Sequence, residues 1–354
     1  MRGTFILRCY SVALLGLAIL VWPSKAEDPS GKEPGPGANQ ARGALAGDTT
    51  AFALDLYARL RERKDNLFFS PYGIYTVLAM ASAGARGETA AQMNRAVHLV
   101  LPQDRLHPAL AALAAELNGT PADGKRKYEL SVANALWAQK DFGFLPAFLE
   151  QLKTHYGAAF YEADFEHDAG EATAAINAWV EQQTRRKIKD LVPKGCLDAW
   201  TRIVLANAIY FKGAWAAKFE DKQTRNQVFH LADGKDMQAP FMYQSSYFGY
   251  YAEEGKFQAL NLAYDGKDLS MVVFLPDPKL GLDGFEKLLT PENLARWLKA
   301  LKEKAVDVML PRFELTQEYD LLPPLHALGM KDAFDPKHAD FSGMHGADPG
   351  RKLH

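Results

Sequence analysis

Cysteine is scarce in this 354-residue chain, which contains only Cys9 and Cys196. Cys9 lies in a segment that we predict to be removed, so Cys196 would stand alone and no intramolecular disulfide is expected. A chain of this length buries enough apolar surface to fold without disulfides or metal. Cys196 is interpreted as a small buried hydrophobe, because a reactive thiol needs a base and an electropositive setting, and Lys194 is only weak evidence of one.

Excess charge of one sign is also lacking. The chain has 41 Lys and Arg residues against 43 Asp and Glu residues, a formal net charge of -2. No overall field would attract nucleic acid or an anionic membrane, and we predict neither as a partner. Two local basic clusters, residues 125–127 (KRK) and residues 185–189 (RRKIK), could bind a polyanion weakly, although solvated turns are the more frequent explanation.

Catalytic and metal-binding motifs are missing as well. Segment 80–84 (MASAG) has Met80 where a nucleophile elbow requires glycine, so Ser82 is interpreted as a packing residue. H-E-x-x-H and C-x-x-C motifs do not occur, and the glycines at 35 and 37 lack the third glycine of a dinucleotide fingerprint. We therefore predict that the chain is not an enzyme and has no catalytic residue, no metal and no cofactor.

The apolar run at residues 11–22 is too short for a membrane-spanning helix, which needs about 20 residues. Arg2 and Arg8 precede it, and the small residues Ser24 and Ala26 follow it, the pattern of a cleaved secretory signal. We predict that residues 1–26 are a signal peptide and that the mature chain is secreted to the extracellular space, or to the periplasm or cell exterior if the source is bacterial.

The rest of the chain predicts one domain that mixes helices and strands. Residues 27–47 are Pro/Gly-rich and predict a flexible leader, and a single domain follows over residues 48–354. Asp48 is predicted to cap one helix, and Ser70 with Pro71 to begin another. Predicted strands cover residues 130–137, 203–211, 257–264, 269–275 and 306–313. Asp265-Gly266 predicts a type I′ hairpin between the third and fourth of these strands.

A series of short motifs resembles the serpin family in both order and spacing over nearly 300 residues. They are NLFFSP (66–71), GARGET (84–89), NALW (134–137), INAWV (176–180), KIKDLV (187–192), ANAIYFKGAW (206–215), LPRF (310–313) and ADFSG (339–343). The resemblance implies an α+β fold of three mainly antiparallel sheets with about eight or nine helices. It also implies suicide inhibition of serine or cysteine proteases, in which a cleaved loop inserts as a new strand of the large sheet.

The resemblance also assigns roles to individual residues. Ser70 and Asn207 match positions that control the opening of the large sheet (the shutter). Trp215 matches the point where loop insertion begins (the breach). Asn177, Trp179 and Thr184 match the helix that crosses the sheet. Two positions depart from the family pattern: Gly73 replaces a serine of the shutter, and Arg186 replaces a glycine, which would strain the backbone by on the order of 1 kcal/mol if its φ is positive.

The printed sequence ends at His354, where a serpin would continue into a sheet strand, an alanine-rich hinge, the reactive loop and a final hairpin. We therefore expect a C-terminally incomplete serpin that lacks the strand between residues 203–211 and 306–313, is not inhibitory as given, and self-associates. A full-length form is expected to bind a serine protease. The alternative is a non-inhibitory serpin-fold binding or carrier protein. Asn118-Gly119-Thr120 is a glycosylation sequon whose use the sequence does not decide.

Overall fold

The described part of this computed structural model comprises residues 36–63, 66–119, 127–231, 235–315, 317 and 319–345. The predicted signal peptide and residues 27–35 lie outside it. The helices in this part are α1 (Pro36–Leu60), α2 (Pro71–Ser82), α3 (Gly87–Val97), α4 (Gln103–Asn118), α5 (Pro146–Tyr156), α6 (Phe165–Gln183), α7 (Gly281–Glu286), α8 (Pro291–Ala300), α9 (Leu322–Ala327) and α10 (Ser342–His345). The strands are β1 (Tyr128–Gln139), β2 (Ala159–Ala163), β3 (Ile203–Gly213), β4 (Arg225–His230), β5 (Asp236–Glu253), β6 (Phe257–Ala263), β7 (Ser270–Pro276) and β8 (Lys302–Pro311). None of these helices is both long and apolar enough to cross a membrane.

Helix α1 begins at Pro36, well before the predicted start at Asp48. Alanine, glutamine, arginine and leucine between residues 38 and 46 favour a helix, and Leu45 is buried in the main hydrophobic core. That burial outweighs the cost of Gly43 and Gly47. The prediction of a flexible leader is therefore wrong over residues 36–47, and Asp48 lies inside the helix instead of capping it.

Helix α2 begins as its sequence predicts. Ser70 has an extended backbone, its Oγ accepts a hydrogen bond from Gly73 N at 3.1 Å, and Pro71 is the first helical residue. Every residue from Tyr72 to Ser82 is buried, because the helix packs between α1 and the strand β3. This position places the N-terminus of α2 directly against the middle of a sheet.

The smaller of the two described sheets has the order β2-β1-β3. It contains Asn207 and is therefore the sheet that the resemblance called the large sheet, seen here with its described strands alone. β1 is parallel to β2 and antiparallel to β3, with Asn134 of β1 directly opposite Asn207 of β3. Within the described residues β3 pairs with β1 alone, so its outer edge has no neighbouring strand there. A strand could add to this edge by completing its ladder of backbone hydrogen bonds.

The larger sheet has the order β4-β5-β6-β7, with β8 also paired to β5. The 18-residue β5 pairs at Phe241 with both β4 and β8, and at Gly249 with both β8 and β6. One long strand thus joins what would otherwise be separate sheets. For this reason the described part contains two sheets, whereas the resemblance implied three. The predicted hairpin is confirmed as β6–β7, but Gly266 and Lys267 have the positive φ values, one residue later than the predicted turn requires.

The predicted place of segment 306–313 is wrong. We expected it to flank the gap beside residues 203–211, but β8 is antiparallel to β5 in the larger sheet and does not border β3. Its alternating side chains Val306, Val308 and Leu310 pack in one apolar cluster with Phe248 of β5. Alternation identifies a strand and its buried face, but it does not identify the sheet to which the strand belongs.

Glu253, the last residue of β5, joins the larger sheet to α8. Its carboxylate accepts hydrogen bonds from Trp297 Nε1 at 3.0 Å and from the Tyr251 hydroxyl at 3.1 Å. Lys256 and Arg296 form ion pairs with it at 3.1 Å and 2.9 Å. Partial burial by itself would raise the pKa of Glu253, but these four donors together outweigh burial and lower the pKa to about 2.

Candidate functional site

The candidate site lies where the N-terminus of α2 meets the smaller sheet, and the structure brings the two predicted shutter residues together there. A Cβ built on Gly73 would lie 2.5 Å from Asn207 Oδ1 and 3.3 Å from Ser70 Oγ, so both side chains converge on this glycine. Ser70 Oγ is engaged by Gly73 N and does not bond Asn207 directly. We call Ser70, Gly73, Asn134 and Asn207 the shutter cluster.

Asn134 is the member of the shutter cluster that sequence reasoning missed. Its Oδ1 accepts a hydrogen bond from Asn207 Nδ2 at 2.9 Å, and its Nδ2 donates to the backbone oxygen of Tyr156 at 3.1 Å. The residue is buried, so both bonds satisfy groups that water does not reach. The signal was present in the sequence, because an Ala-Asn-Ala triplet occurs in the middle of both β1 and β3, and the two asparagines pair.

The resemblance led us to expect a serine at position 73, and the structure shows what lies where that side chain would be. The space that a side chain at position 73 would fill is occupied by the Asn207 amide oxygen. The shutter cluster therefore loses one hydroxyl but keeps close packing between α2 and β3. Gly73 does not have a left-handed backbone, so its conformation would allow other residues. Glycine is required here because a side chain would collide with Asn207.

Trp215 lies just beyond β3, at the junction of the two sheets. It forms an isolated bridge to Tyr264, which follows β6, and the two rings stack with centroids 4.5 Å apart. Phe219 packs edge-on against Trp215 at 6.3 Å, and Phe211 packs edge-on against Tyr264 at 4.8 Å. This aromatic group connects β3 to the larger sheet. The role of Trp215 in starting insertion stays a prediction.

The three predicted residues of the crossing helix belong to α6 and its exit, and α6 packs against β1 and β3. Asn177 holds the returning chain with two bonds, donating to Val192 O at 2.9 Å and accepting from Val192 N at 2.7 Å. Trp179 is buried against the sheet. Thr184 Oγ1 donates to Val180 O at 2.8 Å and accepts from Ile188 N at 3.1 Å, which fixes the turn after the helix.

The backbone after α6 has the conformation that a glycine would favour. Arg186 has a φ of 63° and Arg185 a φ of 49°, both in the left-handed region. The strain anticipated at Arg186 is therefore present. Arg185 forms an ion pair with Glu129. Its guanidinium also lies over the ring of Tyr210, 5.1 Å from the ring centre, in a cation–π contact.

The basic clusters provide limited free charge. Lys125 and Arg126 lie outside the described residues. Lys127 is 3.5 Å from Asp265, and Arg185 is paired with Glu129. In the part of the chain that the structure describes, no three potential metal ligands come together. Weak polyanion binding stays a prediction that rests chiefly on Arg186, Lys187 and Lys189.

Comparison with known proteins agrees with this architecture. The family model described as "Serpin (serine protease inhibitor)" matches residues 48–352. The chain belongs to the serpin family. It is 41% identical over 312 residues to the leukocyte elastase inhibitor of Bos taurus, an alignment covering 86% of this chain and 81% of that protein.

Two solved structures have the same fold. Ovalbumin from emu (Dromaius novaehollandiae) superposes with a TM-score of 0.81 at 31% identity, covering 86% of this chain and 82% of that one. Reactive-loop-cleaved human thyroxine binding globulin superposes with a TM-score of 0.79 at 28% identity, covering 86% and 89%. These findings confirm the predicted serpin family and α+β fold, and they confirm that the chain is not an enzyme, because its relatives are named as inhibitors of proteases.

Proposed function

We propose that this chain is the sheet-bearing body of a serpin that inhibits serine proteases by strand insertion. The observation that carries the proposal is the outer edge of β3, an 11-residue strand with no neighbour there among the described residues. The shutter cluster lies behind the middle of this strand, where it would resist separation of β3 from its surroundings. The name of the bovine leukocyte elastase inhibitor supports a serine protease as the target.

In this mechanism the protease cleaves an exposed loop, and the loop carbonyl stays esterified to the protease's serine. The freed loop then inserts beside β3 and carries the acylated protease with it. The driving force is the ladder of backbone hydrogen bonds and the apolar burial that an added strand provides. Inhibition therefore requires a loop in addition to the described body, and we propose that the 354 residues alone are not inhibitory.

The test compares the 354-residue chain with a chimera that continues into the reactive loop and following strands of the bovine leukocyte elastase inhibitor. Each is incubated with a leukocyte elastase and analysed on denaturing gels. We expect an SDS-stable complex with the chimera and none with the 354-residue chain. Elastase whose active-site serine has been blocked is the control and should give no complex. If elastase cleaves the chimera without forming a complex, the proposal that this body supports inhibition is refuted. If the 354-residue chain alone forms a complex, the proposal that an added loop is required is refuted.

The second candidate is a non-inhibitory binding or carrier protein. It is favoured by the likeness to thyroxine binding globulin, whose name describes ligand binding. A chimera that folds, takes up a loop peptide and still forms no complex would favour this candidate.

We also propose secretion, supported by the charge and apolar pattern of residues 1–26. N-terminal sequencing of the chain recovered from the culture medium should begin at Glu27.

Self-association is the last part of the proposal. β3 and β8 each pair with one strand only within the described residues, and such edges recruit other chains. Light scattering during size-exclusion chromatography should show the chain of residues 27–354 in oligomers. A stable monomer at micromolar concentration would contradict this expectation.

A further inference from the structure

A second buried polar group lies next to the shutter cluster, on the far side of Tyr156. His107 of α4 is 1% exposed, and its Nδ1 lies 2.5 Å from the hydroxyl of Tyr156, the last residue of α5. The other ring nitrogen, Nε2, is buried and has no hydrogen-bond partner among the described residues. Whichever tautomer is present, Nδ1 bonds Tyr156 and Nε2 is left without a partner in this part of the chain.

This environment favours the uncharged imidazole. A protonated ring carries an N–H on both nitrogens, and the described residues offer no acceptor to Nε2. The ring of His155 stacks on His107 with centroids 6.2 Å apart, so a second positive charge would be close by. Burial, and then repulsion by His155, lower the pKa of His107 from 6.5 to about 4.

Within the described part of the chain, the ionisable groups around His107 supply no compensating anion. Burial raises the pKa values of Tyr72, Tyr75 and Tyr156, so these phenols stay neutral in acid and at neutral pH. The elements packed against α4 carry further ionisable groups. In α1, the charge of Asp48 acts on Tyr75, and Arg42 pairs with Glu116. Glu129 of β1 pairs with Arg185, and α5 contributes His155. Asp104 and Arg105, on the preceding turn of α4, are exposed.

Tyr156 connects this histidine to the shutter cluster. Its hydroxyl contacts His107, while its backbone oxygen accepts the hydrogen bond from Asn134, which in turn bonds Asn207. Gly157 follows with a φ of 54°, and β2 begins two residues later. A shift of Tyr156 would therefore act on both β1 and β2.

We propose that His107 is a positioning residue for the shutter cluster: the neutral imidazole holds Tyr156 against β1, and uptake of a solvent proton releases Tyr156 and loosens the β1–β3 pair. The inference rests on the proposed function in one respect, that this sheet opens to accept a strand. Its test uses no protease, so it can fail while the inhibitory proposal stands.

Linkage sets the size of the effect. If His107 has its ordinary pKa of 6.5 in the loosened form and about 4 in the closed form, acidification from pH 7.5 to pH 4 favours loosening roughly 100-fold. The closed form, which holds His107 neutral, is favoured above pH 6.5, and this stabilisation is lost as the pH falls from 6.5 towards 4. Other carboxylates also titrate in acid, so the decisive quantity is the difference between the chain and a variant that lacks this imidazole.

The experiment measures the self-association rate of the full 354-residue chain by light scattering between pH 7.5 and pH 4. NMR of ¹³C-labelled histidine follows the protonation of His107 in parallel. We expect the rate to rise as His107 titrates, and we expect His107→Gln, which cannot titrate, to remove most of the roughly 100-fold increase. His326→Gln is the matched control, because His326 is an exposed histidine of α9 that takes no part in this network. It should leave the profile unchanged.

Tyr156→Phe provides a second variant that preserves packing if His107→Gln does not fold. Without the hydroxyl, the chain should associate faster at pH 7.5 and show a smaller increase in acid. The inference is overturned if Tyr156→Phe matches the unmodified chain at every pH. It is also overturned if His107→Gln keeps the full acid response, or if NMR shows His107 still neutral after association is complete.

Discussion

Asn207 lies so close to Gly73 that the effect of Gly73→Ala on stability should depend on Asn207. We expect the substitution to be destabilising when Asn207 is present and stabilising when it is replaced by alanine. A Cβ at position 73 would lie 2.5 Å from Asn207 Oδ1, nearer than non-bonded atoms allow. The amide cannot simply rotate away, because its Nδ2 is bonded to Asn134. We expect Gly73→Ala to overpack the site at a cost of about 1–3 kcal/mol, which exceeds the helix-propensity gain of about 0.5–1 kcal/mol.

The same substitution should be favourable once the amide is removed. Asn207→Ala alone leaves Asn134 Oδ1 buried without a donor, which destabilises the chain by about 1–3 kcal/mol and should speed association. In that background Gly73→Ala meets no amide oxygen, and its one remaining tight contact is Ser70 Oγ at 3.3 Å, so it should stabilise by at most about 0.5–1 kcal/mol. The coupling between the two substitutions is then about 1–3 kcal/mol.

Urea unfolding of all four variants, followed by circular dichroism, measures this coupling. Gly43→Ala is the matched control, because Gly43 lies in α1 with open space around its Cβ position and should gain about 0.5–1 kcal/mol in every background. If Gly73→Ala has the same sign and size with and without Asn207, the steric argument is refuted.

Two further predictions concern acid stability and backbone strain. Glu253 has its pKa lowered from 4.5 to about 2, so its stabilisation is fully present above pH 4.5 and is lost as the pH falls towards 2. Glu253→Gln should therefore destabilise the chain at pH 7 and reduce the loss of stability between pH 4.5 and pH 2, as measured by urea midpoints, and an unchanged acid profile would contradict the assignment. Arg186→Gly should stabilise by about 0.5–1 kcal/mol, since relief of the left-handed backbone exceeds the added chain entropy. Lys187 has no left-handed backbone, so Lys187→Gly should instead destabilise the chain by about 0.5–1 kcal/mol. If the two glycine substitutions change stability in the same direction by the same amount, strain at Arg186 is excluded.

Local patterns predicted much of this fold because their causes are local. The cap at Ser70, the β6–β7 hairpin and the strand at β8 each follow from a few neighbouring residues. The early start of α1 was missed, since a Pro/Gly-rich composition concealed a helix that the burial of Leu45 stabilises. The sheet to which β8 belongs depends on distant partners along β5, and no local pattern encodes that choice.

The candidate site also has a part that the sequence predicted and a part that only the structure reveals. Asn207 was identified by the resemblance, but its partner Asn134 became evident only when the antiparallel register placed the two asparagines opposite each other. The link from Asn134 through Tyr156 to His107 joins residues on three elements. Neither spacing nor composition indicates it, because each contact depends on how α4 and α5 pack over β1.

The two points at which β5 pairs with strands on both sides limit where the chain can tolerate a change in length. At Phe241 the strand is held by β4 and β8, and at Gly249 by β8 and β6. One residue inserted between these points would turn every later side chain of β5 to the opposite face and misalign two pairings at once. Insertions and deletions among homologous chains should therefore spare residues 241–249, and loop grafting for engineering purposes should avoid the same segment.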